Sequence, residues 1–171
     1  FTYSSGSGLL WILMYVDDAL IVDNDAALRA RFVADLARCF PVDDRGELEW
    51  MLGVAIDRDR VQRLLSLSQE LYITDLTERY ASYVSAGHTR RFDTPMEEGL
   101  HLSHDDSPAE GTAAAQQMSS RRADYMSIVG AFLWLANMSR HEISHVSSQL
   151  ARFVSNPGPT HFNAMLRVLI Y

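Results

Sequence analysis

The stretch GLLWILMYVDDALIV, residues 8–22, sets two adjacent carboxylates, Asp17 and Asp18, between two strongly apolar runs. Residues 9–15 and 19–22 are short and rich in large apolar side chains, which predicts two buried strands with Val16-Asp17-Asp18 at their junction. The carboxylates then stand at the tip of a hairpin. Side by side they repel by roughly 1 kcal/mol or more, which a divalent cation relieves. Hard carboxylate oxygens suit Mg²⁺, and a pair of such ions about 3.5–4 Å apart clamps the attacking and leaving oxygens of a phosphoryl transfer. A solvated turn is the plainer reading, because Asp is a common turn residue. The apolar strands on both sides, and Tyr15 immediately before, weigh towards the metal.

Composition limits what surrounds this hairpin. A chain of 171 residues with 47% hydrophobic side chains is long enough for one domain, or part of a larger one, with a core. The longest apolar run, residues 9–16, is far short of the roughly 20 that span a bilayer, and no basic-then-apolar leader opens the chain, so no membrane partner is expected. A single cysteine, Cys39, excludes an intrachain disulfide and suits a reducing, intracellular compartment; it reads as a small core residue. The net charge of -7 argues against a free-standing nucleic-acid binder. All 15 basic residues are arginine, which removes every lysine-based mechanism.

Further along, Asp23-Asn24-Asp25 offers helix N-caps, and Leu28, Phe32, Leu36 and Phe40 recur at helical spacing until Pro41. Strands are expected at residues 48–56 and 61–67, joined through Asp57-Arg58-Asp59-Arg60. Ser68 then caps a helix from Gln69 to about Tyr80, with Tyr72, Leu76 and Tyr80 on one face. Residues 88–120 carry prolines, glycines and no sustained periodicity, and read as a long mobile connection. Tyr125, Ile128, Val129, Phe132, Leu133 and Ala136 mark one helix, and Ile143, Val146, Leu150 and Val154 another, ended by Asn156-Pro157-Gly158-Pro159. A last helical pattern runs to Tyr171 without a stop signal, as if the chain were cut there.

YVDD (residues 15–18) between apolar strands resembles the active-site motif of reverse transcriptases, and the rest of the chain resembles the copia-type LTR-retrotransposon enzyme. The shared motifs are LLWILMYVDDALIV, GELEWMLGVAIDRD (46–59), LSLSQELYITDLTERY (65–80), TPM (94–96), YMSIVGAFLWLA (125–136) and ARFVSNPGPTHFNAMLRVLIY (151–171). They occur in the family's order and spacing. The resemblance implies an α+β fold: residues 1–67 as the C-terminal part of a polymerase palm, 68–120 as a thumb-like helix and loop, and 121–171 as a helical connection before ribonuclease H. It implies catalytic and metal-binding roles for Asp17 and Asp18, with Mg²⁺, or Mn²⁺ as substitute, as cofactor. Tyr15 would lie near the primer terminus, and Met51, Leu52 and Gly53 would form the hairpin that grips the primer strand; on residue type alone, these three read as a strand with a bulge glycine. The implied partners are an RNA or DNA template with its primer, deoxynucleotides, and the upstream palm and fingers and downstream ribonuclease H parts of a parent polyprotein. The intact element would work in the cytoplasm or an intracellular particle.

Departures from the family pattern matter too. The family's first catalytic aspartate lies upstream of residue 1, so the metal site is expected to be incomplete and the isolated chain inactive. Where the family usually carries a basic residue, PVDDRGEL (41–48) places Asp43, which repels phosphate and suggests an inert genomic remnant as the alternative reading. The family's TRPDI appears as SRHEI (139–143). That change creates HEISH (141–145), which fits the H-E-x-x-H pattern of zinc peptidases, with His141 and His145 as ligands, Glu142 as base and His161 as a candidate third ligand. The glycine and histidine of the longer zinc motif are missing, and a polar helix start is the plainer reading. Arg90-Arg91 and Arg121-Arg122 are candidate contacts to a nucleic-acid backbone, though paired arginines are more often solvated. Ser4-Gly6-Ser7-Gly8 is a flexible turn and no phosphate loop, because no Gly-Lys-Ser/Thr follows.

Overall fold

The computed structural model describes residues 1–84 and 92–171 as two compact units, Phe1–Glu49 and Trp50–Tyr171. In the first unit, β1 (Thr2–Ser5), β2 (Gly8–Tyr15) and β3 (Asp18–Asp23) form an antiparallel sheet in the order β1-β2-β3. Gly6, at φ 61°, takes the first central position of the β1–β2 turn, where a type II′ turn favours glycine. Side chains alternate along β2, so Leu10 and Ile12 are buried while Trp11, Leu13 and Tyr15 are exposed. The buried face meets α1 (Ala26–Ala37) through Leu28. A Cβ on Gly8 would lie 2.8 Å from Leu28 Cδ2, so glycine lets the helix close on the strand. Asp25 is the N-cap: its Oδ1 accepts from the N–H groups of Ala27 at 2.9 Å and Leu28 at 3.2 Å. The helix ends before the expected last apolar position. Phe40 is exposed beyond it, and Cys39 is exposed too, correcting its assignment to the core.

The second unit opens with β4 (Trp50–Met51), β5 (Val54–Asp59) and β6 (Leu64–Ser68), paired antiparallel in that order. The single strand expected over residues 48–56 is thus two strands. Leu52 at φ 52° and Gly53 at φ 78° both take the left-handed conformation of a type I′ turn, with glycine at the second central position. The apolar run had masked the turn. The next turn lies after Asp59, whose Oδ1 accepts from the Val61 and Gln62 N–H groups at 2.8 Å.

Among the described residues four α-helices follow: α2 (Glu70–Arg79), α3 (Ala113–Met138), α4 (Ser144–Ala151) and α5 (Pro159–Ile170). Their core is built on Leu76, Tyr125, Phe132, Leu150, Phe162 and Met165. Tyr125, fully buried, donates its hydroxyl to the Leu150 carbonyl at 2.9 Å, and burial pushes its pKa up. Gln69, just before α2, accepts from Ser139 Oγ at 2.7 Å and so ties the start of α2 to the end of α3; its Nε2 has no partner among the described residues. The mobile connection expected over residues 88–120 is corrected on two counts. Residues 113–120 belong to α3, whose start is capped by Thr112 Oγ1 accepting from Ala115 N–H at 3.2 Å. Residues 92–112 are tied to α5 and the turn before it: Arg167 Nε donates to the Thr94 carbonyl at 3.2 Å, and Ser107 Oγ to that of Asn156 at 2.8 Å. Residues 88–91 lie outside the described residues. A Cβ on Gly158 would fall 1.9 Å from the Asp106 carbonyl oxygen, so this contact admits only glycine. Among the described residues, no helix is long and apolar enough to cross a membrane.

Candidate functional site

In the first unit, β2 and β3 pair from Leu10↔Asp23 to Tyr15↔Asp18, leaving Val16 and Asp17 as a two-residue turn. Val16 has φ 52° and Asp17 a negative φ, the pattern of a type II′ turn. Glycine is the natural occupant of that first position, and a β-branched residue there is an outlier. Holding a non-glycine residue at this positive φ costs Val16 on the order of 1–3 kcal/mol. Its side chain is 81% exposed, so packing at the tip offsets little of this cost and the strand pairs behind it hold the turn in place.

Asp17 and Asp18 are both exposed at this tip. Neither carboxylate has a side-chain hydrogen bond or ion pair among the described residues. Two hard-oxygen donors on an exposed, strained turn fit a divalent cation. No group of three or more His, Cys, Asp or Glu side chains that could hold a metal occurs among the described residues. Tyr15, directly opposite Asp18, is 54% exposed on the sheet face that α1 leaves open. Tyr15, Asp17 and Asp18 are therefore brought together by one hairpin.

The far end of this hairpin carries a feature missed in the sequence. Asn24 N–H donates to the Leu9 carbonyl at 3.3 Å, as an ordinary ladder rung. The returning bond comes from Leu9 N–H to Asn24 Oδ1, at 2.7 Å, in place of the backbone carbonyl. Asn24 Nδ2 also donates to the Ser7 carbonyl at 3.2 Å. The side chain completes a rung that the backbone abandons as it turns into α1. The sequence Asp23-Asn24-Asp25 marks these residues as helix caps, and Asn is favoured at caps for the same local hydrogen bonding.

Met51, Leu52 and Gly53 lie in the second unit, where Met51 closes β4 and Leu52 and Gly53 form its turn. These residues form a hairpin, and no bulge. Asp43 is exposed and pairs with Arg45 at 3.3 Å.

The zinc pattern does not assemble. His141 and Glu142 lie on a 3-10 turn (His141–Ile143) before α4, so the motif is not carried on one continuous helix. Glu142 is ion-paired to Arg140, and His141 Nδ1 hydrogen-bonds the Ala136 carbonyl at 2.7 Å. His161 is fully buried and its ring nitrogens are both engaged. Nδ1 accepts from Gly158 N–H at 2.9 Å, so Nε2 carries the proton and donates to the Ser103 carbonyl at 3.0 Å. The ring stacks on Phe153 at 3.9 Å, and burial pushes its pKa below 6.5. It is a structural residue and offers no lone pair to a metal. Of the arginine pairs, Arg121 lies 5.4 Å over the Phe162 ring, Arg122 Nε donates to the Val154 carbonyl at 3.2 Å, and Arg90 and Arg91 lie outside the described residues.

Comparison with known proteins gives matches along the whole chain. It is 33% identical over 167 residues, 98% of its length, to the retrovirus-related Pol polyprotein from transposon TNT 1-94 of Nicotiana tabacum. Across all 171 residues it is 33% identical to the retrovirus-related Pol polyprotein from transposon RE1 of Arabidopsis thaliana. Over 98% of its length it is 28% identical to a putative transposon Ty5-1 protein of Saccharomyces cerevisiae. The chain spans 12% and 11% of the two plant polyproteins and 50% of the yeast protein. No family model and no solved structure matches it.

Proposed function

Because the chain belongs with the retrovirus-related Pol polyproteins of transposons along its whole length, we propose that it is the part of their reverse transcriptase that carries two of the catalytic carboxylates. The observation that carries this reading is the exposed pair Asp17 and Asp18 at the tip of a strained two-residue hairpin turn. In the parent polyprotein the reaction is template-directed addition of deoxynucleotides to a primer. The first unit is then palm, and α2 begins the thumb, with the helices after Thr112 as the connection.

Each residue has a defined part. Asp17 and Asp18 would hold Mg²⁺, or Mn²⁺ in its place, through hard oxygens. A cation held there would supply Lewis-acid activation of the primer 3′-hydroxyl and charge compensation at the leaving pyrophosphate. The short turn between paired strands fixes the backbone from which both carboxylates project. Tyr15 offers an exposed ring edge beside Asp18 to the primer terminus. Leu52, exposed on its I′ turn, and the flanking Met51 and Gly53 present a narrow backbone edge suited to lie along the primer strand.

Asp43 favours a second reading, an inert genomic remnant, because its exposed carboxylate opposes phosphate where the family usually has a basic residue. Both readings share the metal site, and Mn²⁺ tests it. Titrating isotope-labelled protein with Mn²⁺ should broaden the NMR signals of Tyr15, Val16, Asp17, Asp18 and Ala19 first, and Asp17→Asn with Asp18→Asn should abolish this. Equal broadening in the double variant would assign the cation to some other group and remove the proposal's support.

A further inference from the structure

β6 is an edge strand without the usual safeguards. In the order β4-β5-β6 nothing pairs with its outer side among the described residues, and every residue of Leu64–Ser68 is exposed. Edge strands are commonly blunted by a charge, a proline or a bulge, and LLSLS, in unbroken register with β5, has none of these. The register also fixes which backbone groups face outward. The two-residue turn at Leu52-Gly53 closes on a bonded pair, Met51 and Val54, so by alternation Ala55, Asp57 and Asp59 bond β6 through Ser68, Ser66 and Leu64. Leu65 and Leu67 therefore turn their N–H and C=O groups to the open edge. Their side chains, 63% and 45% exposed, share the face of Ile56, which stands opposite Leu67.

We infer that β6 is a docking edge for a second copy of this chain, which adds its own β6 antiparallel about a two-fold axis through Ser66. Leu65 N–H then donates to the Leu67 carbonyl of the other copy and Leu67 N–H to its Leu65 carbonyl, and the axis repeats both bonds. The same register sets Leu65 and Leu67 of each copy in one row on one face, with Leu64 against Ser68 on the other. Charge selects this partner and this direction. Arg63 precedes the strand and Glu70 follows it, and neither side chain has a partner among the described residues. An antiparallel second copy brings each Arg63 near the other copy's Glu70, whereas a parallel one would set arginine against arginine. β4, at the other edge of this sheet, is two residues long, too short to take up a further strand, so the sheet stops at two copies. A single strand pair buries less than the roughly 1,200 Å² of a firm interface, so the dimer is weak and depends on concentration.

Sedimentation velocity of the full chain at increasing concentration should show one copy passing to two and no further. Leu65→Pro removes an outward N–H that β5 does not use, a change an edge strand tolerates. It should leave the chain monomeric with the Ser66 amide still protected from exchange. Arg63→Glu should weaken the dimer severalfold, and adding Glu70→Arg should restore it; this pair decides the matter if Leu65→Pro disturbs the sheet. In a mixture of labelled and unlabelled chains, an Hα–Hα contact should join Leu64 of one copy to Ser68 of the other. A chain that stays monomeric at every concentration, a dimer unaffected by Leu65→Pro, or a double reversal that fails to restore association would overturn the proposal. The dimer does not depend on the function proposed above.

Discussion

His161 illustrates how a single residue can mislead as a ligand and inform as a strut. Its Nδ1 accepts from Gly158 at the start of α5, its Nε2–H reaches the Ser103 carbonyl, and Phe153 covers its face. A proton added to Nδ1 would break the Gly158 bond and place charge in a dry site. Burial therefore lowers the pKa below 6.5, although the Ser103 carbonyl and Asp106 oppose the shift. Above pH 6.5 the ring is neutral in both folded and unfolded chains, and its contribution to stability is complete. As pH falls below 6.5 the unfolded chain takes up a proton that the folded chain refuses, and stability declines until the lowered folded pKa is passed. Thermal unfolding followed between pH 7 and pH 5 should show this loss. His161→Gln should be less stable at pH 7 but should lose stability less steeply over the interval; an identical slope would show that His161 does not titrate between the two states.

At the scale of elements, the boundary of α3 is the most exposed to test. Its first two turns are AAAQQMSS, where only Met118 is buried, so their stability leans on the Thr112 cap and on alanine propensity. Thr112→Ala should cost about 1 kcal/mol and raise amide exchange in residues 113–118 without affecting β5 and β6. Unchanged exchange would mean that the helix start is held by something else. The same segment shows what the sequence concealed. Tyr125, Ile128, Val129 and Phe132 announce their helix because one face is buried, whereas residues 113–120 form helix with little apolar periodicity to read. The Asp17-Asp18 hairpin was legible for the opposite reason, two apolar strands flanking a polar junction. The β4–β5 turn was not legible from composition, because Leu52-Gly53 sits inside an unbroken apolar run and Leu52 must adopt a positive φ. Asn24 was hidden by its neighbours: beside Asp25, it looked like one more capping residue.

At the scale of the molecule, the account rests on chemistry that neither unit performs by itself. On the proposed function, two carboxylates would hold one cation loosely, and nucleotidyl transfer by a metal pair needs more oxygen ligands and a positioned nucleotide, together worth several kcal/mol of the barrier. On the function proposed above, the 171 residues tested by themselves should therefore not extend a primer detectably, and a fusion to the preceding part of a related Pol polyprotein tests whether further ligands complete the reaction. The most direct test of the central claim is primer extension by such a hybrid on a primed template with Mg²⁺ and deoxynucleotides, with and without Asp17→Asn. The account predicts extension by the hybrid and its loss in Asp17→Asn, with primer binding retained. Extension undiminished by that substitution would contradict the assignment of Asp17 to catalysis.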